Sequence, residues 1–398
     1  MRFAQQYFTN ALAVINTYNG VEPLHFYLKN HFAVNKKFGS KDRKSISHFC
    51  YCYYRLGKAL TNLPAAQRLT VALFLCNDDI SGYTILFEES WQQNHTSHLD
   101  ERIKFIKTIY PHFAIKFIFS FADELSETID AIEFAKSHLI QPDVYMRIRP
   151  GNQSTVITKL NAAEIAFKNI SQTCLAFNNA TKLNSIIEID KEAVVQDLSS
   201  QRVGEFLETV ATDQPINQST SVWDCCAASG GKSILAYDIL NKIDLTVSDL
   251  RPFILQNLKN RFATARIKNY KAFVADLAQV TEPIKNQKTH FDLIICDVPC
   301  SGSGTWGRSP EQLYFYKNDK TAYYASLQKN IITNAIKQLN KSGYFLYITC
   351  SVFKQENEFA VAFIQQHLKL KLIKTEVLKG YDNKADTMFA ALFQSVNG

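Results

Sequence analysis

Hydrophobic residues recur three or four positions apart through the first 140 residues, and apolar and polar positions do not alternate regularly there. This spacing places apolar side chains on one face of an α-helix. The segments 46–60, 64–76, 102–119 and 124–138 show it most clearly. Four prolines lie where these helices should begin or end, at Pro23, Pro64, Pro111 and Pro142. We therefore predict a helical domain over residues 1–140.

The pattern changes after Pro142. Residues 144–149, Val-Tyr-Met-Arg-Ile-Arg, are typical of a strand, and a turn-forming Pro-Gly-Asn follows them. A helical stretch is predicted near residues 156–167. Residues 141–207 are therefore expected to form a small α+β module.

From Ser221 onward, short apolar runs that end in acidic residues alternate with helical stretches. This alternation is typical of a parallel sheet with crossover helices, and it predicts an α/β domain over residues 208–398. The predicted strands are Val222–Ala227, Leu245–Asp249, Ala272–Asp276, Phe291–Val298, Tyr344–Thr349 and Met388–Phe393.

Composition narrows the class of protein further. The 398 residues are 46% hydrophobic and lack low-complexity stretches, which indicates an ordered, multidomain protein. A net charge of +7 is compatible with a polyanionic partner. The nine cysteines lack zinc-site spacing, so we expect intracellular thiols and no metal. No apolar window of about 18 residues occurs, so we expect an unanchored, cytoplasmic protein with no membrane partner.

A basic cluster lies near the start of a predicted amino-terminal helix, with one aspartate to offset it. Such a cluster is either a solvated surface or a contact for RNA phosphates, and the sequence leaves both open. Its members are Lys36, Lys37, Lys41, Arg43 and Lys44.

Small residues at 227–231 follow the first predicted strand of the α/β domain, which contains Asp224. Small residues let the backbone approach a ligand, and the helix that follows offers free N–H groups to an anion. A carboxylate and a phosphate would both suit such a site. A phosphate-binding loop would also need glycine at position 226, where this chain has Cys226, and this disfavours an NTPase.

Acidic residues end the next two predicted strands. Asp249 lies about 20 residues beyond the glycine loop, the distance at which a carboxylate meets ribose hydroxyls in nucleotide-binding sheets. A helix cap is the alternative for this residue. Asp276 is placed to bind an adenine amino group.

Two thiols follow the fourth and fifth predicted strands. Cys300 lies in a glycine-rich turn near Asp297, and Cys350 directly follows Thr349. Neighbouring strands lie about 4.8 Å apart, so both thiols would border one cleft if these strands are adjacent. Two thiols and a carboxylate at a ligand-binding edge favour catalysis over inert buried cysteines.

Three motifs, in this order, resemble the Sun-domain (Fmu-type) family of RNA (cytosine-5-)-methyltransferases. They are Asp-x-Cys-Ala-Ala-x-Gly-Gly-Lys at 224–232, Asp-Val-Pro-Cys-Ser-Gly-Ser-Gly-Thr at 297–305 and Thr-Cys-Ser-x-x-x-x-Glu-Asn-Glu at 349–358. Residues 195–201 resemble the segment before the family's catalytic domain, and residues 39–55 resemble the NusB-like domain of some bacterial rRNA methyltransferases.

The resemblance implies a Rossmann-like methyltransferase domain with a mostly parallel seven-stranded sheet, which follows a NusB-like, RNA-binding helical domain and the α+β module. It implies an S-adenosylmethionine-dependent enzyme that methylates carbon 5 of a cytosine in RNA. We expect rRNA as the substrate, with tRNA as the alternative, and a monomeric protein.

The resemblance also implies individual roles. Cys350 matches the nucleophile that adds to carbon 6 of cytosine, and Cys300 matches the cysteine that assists product release. Asp297 matches the residue that binds the cytosine ring, and Lys232 would add positive charge near it and hold nearby thiols as thiolates. The expected cofactor contacts are Cys226, Ala227, Ala228, Ser229, Gly230, Gly231, Lys232, Asp249, Arg251, Asp276 and Asp297.

The chain departs from the family pattern at a few positions. Gly307 replaces an arginine, Glu311 an aspartate and Ser229 a proline.

Other functions fit the sequence less well. A non-catalytic RNA-binding assembly factor would lack a cysteine or the cofactor loop, and both are present. A DNA cytosine methyltransferase would carry its nucleophile in the fourth-strand loop. A small-molecule methyltransferase would leave the two cysteines unexplained.

Overall fold

The structure, a computed structural model, describes residues 3–212, 219–240, 242–279 and 290–396 and divides into two compact units. The helical unit comprises Met1–Leu125, Asp130–Gln141 and Thr305–Lys317. The sheet unit comprises Ser126–Ile129, Pro142–Gly304 and Asn318–Gly398. The division 1–140, 141–207 and 208–398 stays a prediction. The observed units join 142–207 to the sheet and assign Thr305–Lys317 to the helices.

Several helices of the helical unit begin or end next to a predicted proline, but their bounds differ from the predicted ones. The predicted helix 102–119 ends at Ile109 because Pro111 follows, and the predicted helix 124–138 begins only at Ala131, capped by Asp130. The α-helices are Ala4–Thr17, Leu24–Val34, Ser40–Arg55, Ala65–Cys76, Glu89–Gln93, Leu99–Ile109, Ala131–Ser137 and Glu311–Phe315, with 3₁₀ turns at Thr84–Leu86, Ile115–Phe117 and Ala122–Glu124.

A tight turn after the helix Ser40–Arg55 is built around a buried arginine. The Arg68 guanidinium donates hydrogen bonds to the carbonyl oxygens of Ala59, Tyr53 and Gly57, at 3.0, 3.1 and 2.6 Å. Gly57 has a φ of +51°, and a Cβ there would lie 1.9 Å from the Ile118 carbonyl oxygen. The turn therefore requires glycine, and the predicted helix 46–60 ends before it.

The segment Thr305–Lys317 contributes large aromatic side chains to the core of the helical unit. Trp306 is 1% exposed and packs against Phe119, with ring centroids 5.8 Å apart. Phe315 packs edge-on against Tyr18 at 5.5 Å. Glu311, the acid that departs from the family pattern, is buried and accepts a hydrogen bond from the Leu24 backbone N–H at 3.1 Å. This segment therefore has a structural role that the sequence did not predict.

The sheet unit begins with a small antiparallel sheet of order β2-β3-β1-β4. Arg147 and Arg149 each form an ion pair of 2.7 Å with Asp238, and the Asp238 carboxylate is nearly buried. These pairs attach the small sheet to the helix Gly231–Leu240 of the same unit. The strands are β1 (Val144–Ile148), β2 (Lys168–Asn169), β3 (Cys174–Phe177) and β4 (Ala193–Val195), and the helix Gln153–Ala162 follows β1.

The larger sheet has seven strands in the order β10-β11-β9-β8-β5-β6-β7. Strands β5 to β9 are parallel, and β11 is antiparallel to both β9 and β10. The strands are β5 (Thr220–Asp224), β6 (Ile243–Asp249), β7 (Tyr270–Val274), β8 (Phe291–Asp297), β9 (Leu339–Thr349), β10 (Leu370–Leu378) and β11 (Met388–Ser395); the helices are Leu198–Arg202, Gly204–Thr212, Gly231–Leu240, Pro252–Thr264, Asp319–Ile336 and Glu358–Leu368. The predicted Rossmann-like α/β class is confirmed.

The strand order reverses between β5 and β8, which lie side by side in the middle of the sheet. Open α/β sheets bind their ligands in the crevice that such a reversal leaves at the carboxyl ends of the strands. The residues that end or follow β5, β6, β7 and β8 are therefore the candidates for ligand binding.

None of the helices in the described ranges combines the length and the hydropathy that a membrane span needs.

We expect Gly57→Ala to destabilise the protein more than Gly151→Ala. Both glycines have a positive φ, +51° and +78°, but a Cβ at Gly151 would meet no atom within 4 Å. A left-handed conformation alone costs about 1 kcal/mol, and overpacking against the Ile118 carbonyl adds about 1–3 kcal/mol. Urea unfolding followed by circular dichroism measures both variants. Equal losses would contradict the steric explanation.

Candidate active site

A cavity of about 440 Å³ lies at the reversal point, bordered by the ends of four parallel strands. Each strand end contributes a polar residue: Cys226 after β5, Asp249 at the end of β6, Asp276 after β7 and Asp297 at the end of β8. Apolar side chains complete the wall. They are Leu250, Ala275, Leu277, Leu327 and Ile331, none of which the sequence analysis named.

The glycine loop between β5 and its helix is fixed by backbone hydrogen bonds. The Ala228 N–H donates to the Asp249 carboxylate at 3.0 Å, and the Ala227 N–H donates to the Ser248 carbonyl oxygen at 2.9 Å. Gly230 has a φ of +84°, and a Cβ there would lie 2.6 Å from the Phe262 ring. Asp249 therefore stabilises the loop as well as lining the cavity.

The structure brings six of the eleven expected cofactor contacts to the cavity. They are Cys226, Ala228, Asp249, Arg251, Asp276 and Asp297. The other five do not line the cavity: Ala227, Ser229, Gly230, Gly231 and Lys232. Ser229, for example, accepts a hydrogen bond from Arg261 at 3.0 Å. Their binding role stays a prediction.

Asp224 is fully buried behind the loop. One of its carboxylate oxygens accepts a hydrogen bond from the Ser233 hydroxyl at 2.6 Å, and the other has no hydrogen-bond partner in the described part of the chain. Burial, with a smaller contribution from the charge of Asp297, raises the pKa of Asp224 to about 7. This carboxyl therefore exchanges a proton near neutral pH.

The two thiols of the predicted pair meet because β8 and β9 are adjacent. Asp297 pairs with Ile348 in the parallel register, and the Val298 N–H donates to the Ile348 carbonyl oxygen at 3.1 Å. Cys300 and Cys350 then follow at the same edge, where the Cys350 thiol is close enough to raise the pKa of Cys300. The Gly304 N–H donates to the Cys350 carbonyl oxygen at 2.9 Å, which closes the turn of Cys300 onto Cys350.

The surroundings of Cys300 keep its thiol protonated. The contact with Cys350, burial and the charge of Glu356 together raise the pKa of Cys300 well above its ordinary value. This direction opposes the expectation that Lys232 would hold nearby thiols as thiolates. For Cys300 that expectation is wrong, because burial and a carboxylate act against it.

Lys232 and Asp297 form an ion pair beside the thiols, with Nζ and Oδ2 3.2 Å apart. Lys232 also donates to the Ser200 hydroxyl at 2.8 Å and is buried. Burial lowers the pKa of Lys232, but the charges of Asp297 and Cys350 outweigh this effect and raise the pKa above its ordinary value. A cationic lysine is therefore held against Asp297, whose carboxylate lines the cavity.

A second group of thiols includes Cys225 and Cys226, which both line the cavity. Cys226 contacts Cys225 and Cys296, and these two contacts lower the pKa of the Cys226 thiol. Cys225 and Cys296 are fully buried. Cys226 is one of the cofactor contacts that the family resemblance implies.

Comparison with known proteins finds similarity to methyltransferases that act on ribosomal RNA. Residues 210–394 match the model of a family described as 16S rRNA methyltransferase RsmB/F. A probable ribosomal RNA small subunit methyltransferase B of Bacillus subtilis (strain 168) is 27% identical over 243 residues, 60% of this chain and 52% of that protein. A ribosomal RNA small subunit methyltransferase B of Yersinia enterocolitica is 30% identical over 182 residues, 46% of this chain and 40% of that protein.

The chain thus spans about half the length of the curated relatives it matches. The crystal structure of PH0851 covers 94% of this chain and 95% of its own, with a TM-score of 0.69 and 19% identity. At this identity the likeness concerns the fold. The family resemblance that the three motifs predicted is confirmed by the match over residues 210–394.

We expect the stability difference between Asp224→Asn and the unchanged protein to depend on pH. Because the folded pKa of Asp224 is raised to about 7, its stabilising contribution is fully present below the unfolded pKa of about 4 and is lost as pH rises through 7. Asparagine does not titrate. The variant should therefore gain melting temperature relative to the unchanged protein as pH rises from about 4 to about 7, and the difference should stay constant at higher pH.

Differential scanning calorimetry across that range measures the effect, and Asp382→Asn, at an exposed carboxylate, is the control. A difference that stayed constant with pH would contradict the assignment.

Proposed function

We propose that this chain, whose residues 210–394 match the RsmB/F methyltransferase family, transfers a methyl group from S-adenosylmethionine to carbon 5 of a cytosine in RNA. The observation that carries the proposal is the meeting of Cys300, Cys350 and the Lys232–Asp297 ion pair beside the cavity. Two thiols and a carboxylate together suit covalent catalysis on a pyrimidine ring better than they suit an NTPase or a small-molecule methyltransferase.

The cavity fits S-adenosylmethionine in size and in the chemistry of its lining. A volume of about 440 Å³ is in the range of small-molecule sites. Asp249 would accept hydrogen bonds from the ribose hydroxyls and Asp276 one from the adenine amino group, while apolar side chains such as Leu277 and Ile331 would cover the purine. When bound, S-adenosylmethionine supplies an electrophilic methyl group on a sulfonium.

The residues of the chain would activate the base. The Cys350 thiolate adds to carbon 6 of cytosine, the new carbon–sulfur bond forms, and the displaced electron pair makes carbon 5 nucleophilic. Asp297 would accept hydrogen bonds from the cytosine amino group and from a protonated N3, and so favour the protonated ring that takes up the electrons pushed in by sulfur. Lys232 holds the Asp297 carboxylate in place through the 3.2 Å ion pair.

Release of the product requires loss of the carbon-5 proton and cleavage of the carbon–sulfur bond. Cys300 is the group placed to assist, because its thiol contacts Cys350 and its raised pKa keeps it protonated. As the carbon–sulfur bond breaks, its electron pair leaves with the Cys350 sulfur, which takes a proton from the neutral Cys300 thiol. The Cys300 thiolate so formed accepts the proton lost from carbon 5, which restores the double bond of the ring.

We further propose rRNA as the substrate, with tRNA as the alternative. The curated relatives carry names that specify the RNA of the small ribosomal subunit. The net charge of +7 provides a sequence-independent attraction for phosphates. The helical unit, which carries the basic cluster Lys36–Lys44, is the proposed RNA-binding part.

We expect Asp249→Asn to weaken S-adenosylmethionine binding by about tenfold, because a charge-assisted hydrogen bond to the ribose is replaced by a neutral one. Isothermal titration calorimetry measures the dissociation constant. Glu376→Gln, which changes an acid that pairs with Arg202 on the edge strand β10, is the matched control and should bind the cofactor normally. Tight binding of ATP instead of S-adenosylmethionine would contradict the cofactor assignment.

We expect Cys350→Ala to abolish methylation and Cys300→Ala to accumulate a covalent protein–RNA adduct, since only the second variant keeps the nucleophile. Tritium transfer from labelled S-adenosylmethionine measures turnover, and denaturing gels detect the adduct. Cys76→Ala, in the helical unit, is the control thiol variant.

The RNA in the adduct identifies the substrate, and bisulfite sequencing locates the cytosine. Adduct on small-subunit rRNA supports the first choice, and adduct on tRNA supports the alternative. Full methylation by Cys350→Ala would refute the mechanism.

A further inference from the structure

A fully buried carboxylate, Glu356, lies between the two loops that carry the thiols. It belongs to the third sequence motif, at 349–358, and the family resemblance implied no role for it. Its oxygens accept hydrogen bonds from Ser301, which follows Cys300 in one loop, and from Ser351, which follows Cys350 in the other.

The contacts with the first loop involve both backbone and side chain. The Ser301 backbone N–H donates to Oε1 of Glu356 at 2.9 Å, and the Ser301 hydroxyl donates to Oε2 at 2.5 Å. Gln328 adds a second tie, because its side-chain amide donates to Glu356 at 3.0 Å and to the Pro299 carbonyl oxygen at 3.0 Å. The residues on both sides of Cys300 are thus fixed to one carboxylate.

The contacts with the second loop start from the same oxygen. The Ser351 hydroxyl donates to Oε2 of Glu356 at 2.5 Å and accepts the Phe353 backbone N–H at 3.0 Å. Ser303 bridges the loops directly, since its hydroxyl lies 3.1 Å from that of Ser351 and accepts the Val352 N–H at 2.9 Å. The position of Cys350 relative to Cys300 therefore depends on hydrogen bonds that converge on one side chain.

The backbone of Glu356 is anchored from the sheet. The Tyr347 hydroxyl, on β9, donates to the Glu356 carbonyl oxygen at 2.7 Å. In the described part of the chain no lysine or arginine pairs with the carboxylate, so hydrogen bonds alone compensate its burial. Four donors on one buried carboxylate form a rigid arrangement, because each donor left without its acceptor would carry a desolvation penalty.

We propose that Glu356 is a positioning residue that fixes the spacing of the Cys300 and Cys350 loops, so that both thiols act on the same base. The inference rests on the proposed function, because the spacing matters only if the two thiols act in one reaction. Displacement of a reacting group by about 1 Å can reduce a rate by about 10²-fold.

We expect Glu356→Ala to lower kcat for RNA methylation by about 10²-fold and Glu356→Gln by about tenfold, with KM for S-adenosylmethionine within about twofold of the unchanged protein. Glutamine keeps one acceptor but presents an amide to the serine hydroxyls, which must then accept instead of donate. Glu358→Gln is the matched control. Its carboxylate lies two residues away and accepts from the Ser126 hydroxyl at 3.0 Å, so it should retain normal kcat.

A second measurement follows the thiols without RNA. The charge of Glu356 contributes to the raised pKa of Cys300. Removing that charge in Glu356→Gln should lower the pKa of Cys300 and increase the thiolate fraction. Iodoacetamide labelling followed by peptide mass spectrometry should then show Cys300 alkylated several-fold faster than in the unchanged protein, and unchanged in Glu358→Gln.

The outcomes separate this inference from the function on which it rests. If the unchanged protein methylates no RNA, the proposed function fails, and labelling still decides whether Glu356 acts on the thiol loops. A folded Glu356→Ala with normal kcat and normal labelling overturns the inference. If Glu356→Ala does not fold, Glu356→Gln decides in its place, and a loss of kcat fully explained by a lower melting temperature also overturns it.

Discussion

The parallel pairing of β8 with β9 is the constraint on which the site depends. Each strand alone ends in a loop with one thiol, and neither loop resembles a catalytic centre. Pairing Asp297 with Ile348 brings both loops to the same edge, beside the reversal point where the cavity forms. The two strands are buried and strongly apolar, so a shift of their register would expose a hydrophobic core. The stability of the sheet thus determines the spacing of the chemical groups.

Three carboxylates around the site are compensated in different ways. Asp297, which lines the cavity, forms an ion pair with Lys232. Asp224 is buried, one of its oxygens has no hydrogen-bond partner in the described part of the chain, and its pKa is raised to about 7. Glu356 is compensated only by hydrogen bonds. A buried carboxylate that lacks a cation is costly, so its presence between the two thiol loops indicates a requirement for geometry more than for stability.

Much of the sheet and its chemical groups could be predicted from the sequence, because apolar runs that end in acids mark parallel strands and their ligand-binding edge. Strand β10 was missed since Lys371, Lys374 and Glu376 interrupt its apolar residues, as is common on an edge strand. The apolar cavity wall, such as Leu327, gives no signal beyond ordinary helix periodicity. The positioning role proposed for Glu356 could not be predicted from the sequence for another reason. The hydroxyls that donate to its carboxylate belong to serines, which occur throughout the chain.

The excursion of Thr305–Lys317 has a consequence for the evolution of this chain. The polypeptide leaves the sheet unit at Gly304, directly after the turn of Cys300, and re-enters it at Asn318. In between, Trp306 is buried in the helical unit and Phe315 packs against Tyr18. The amino-terminal helices therefore cannot be lost or exchanged as an independent module without exposing aromatic side chains that directly follow the turn of Cys300. Selection acting on the helical unit thus also acts on a segment inserted within the sequence of the sheet unit.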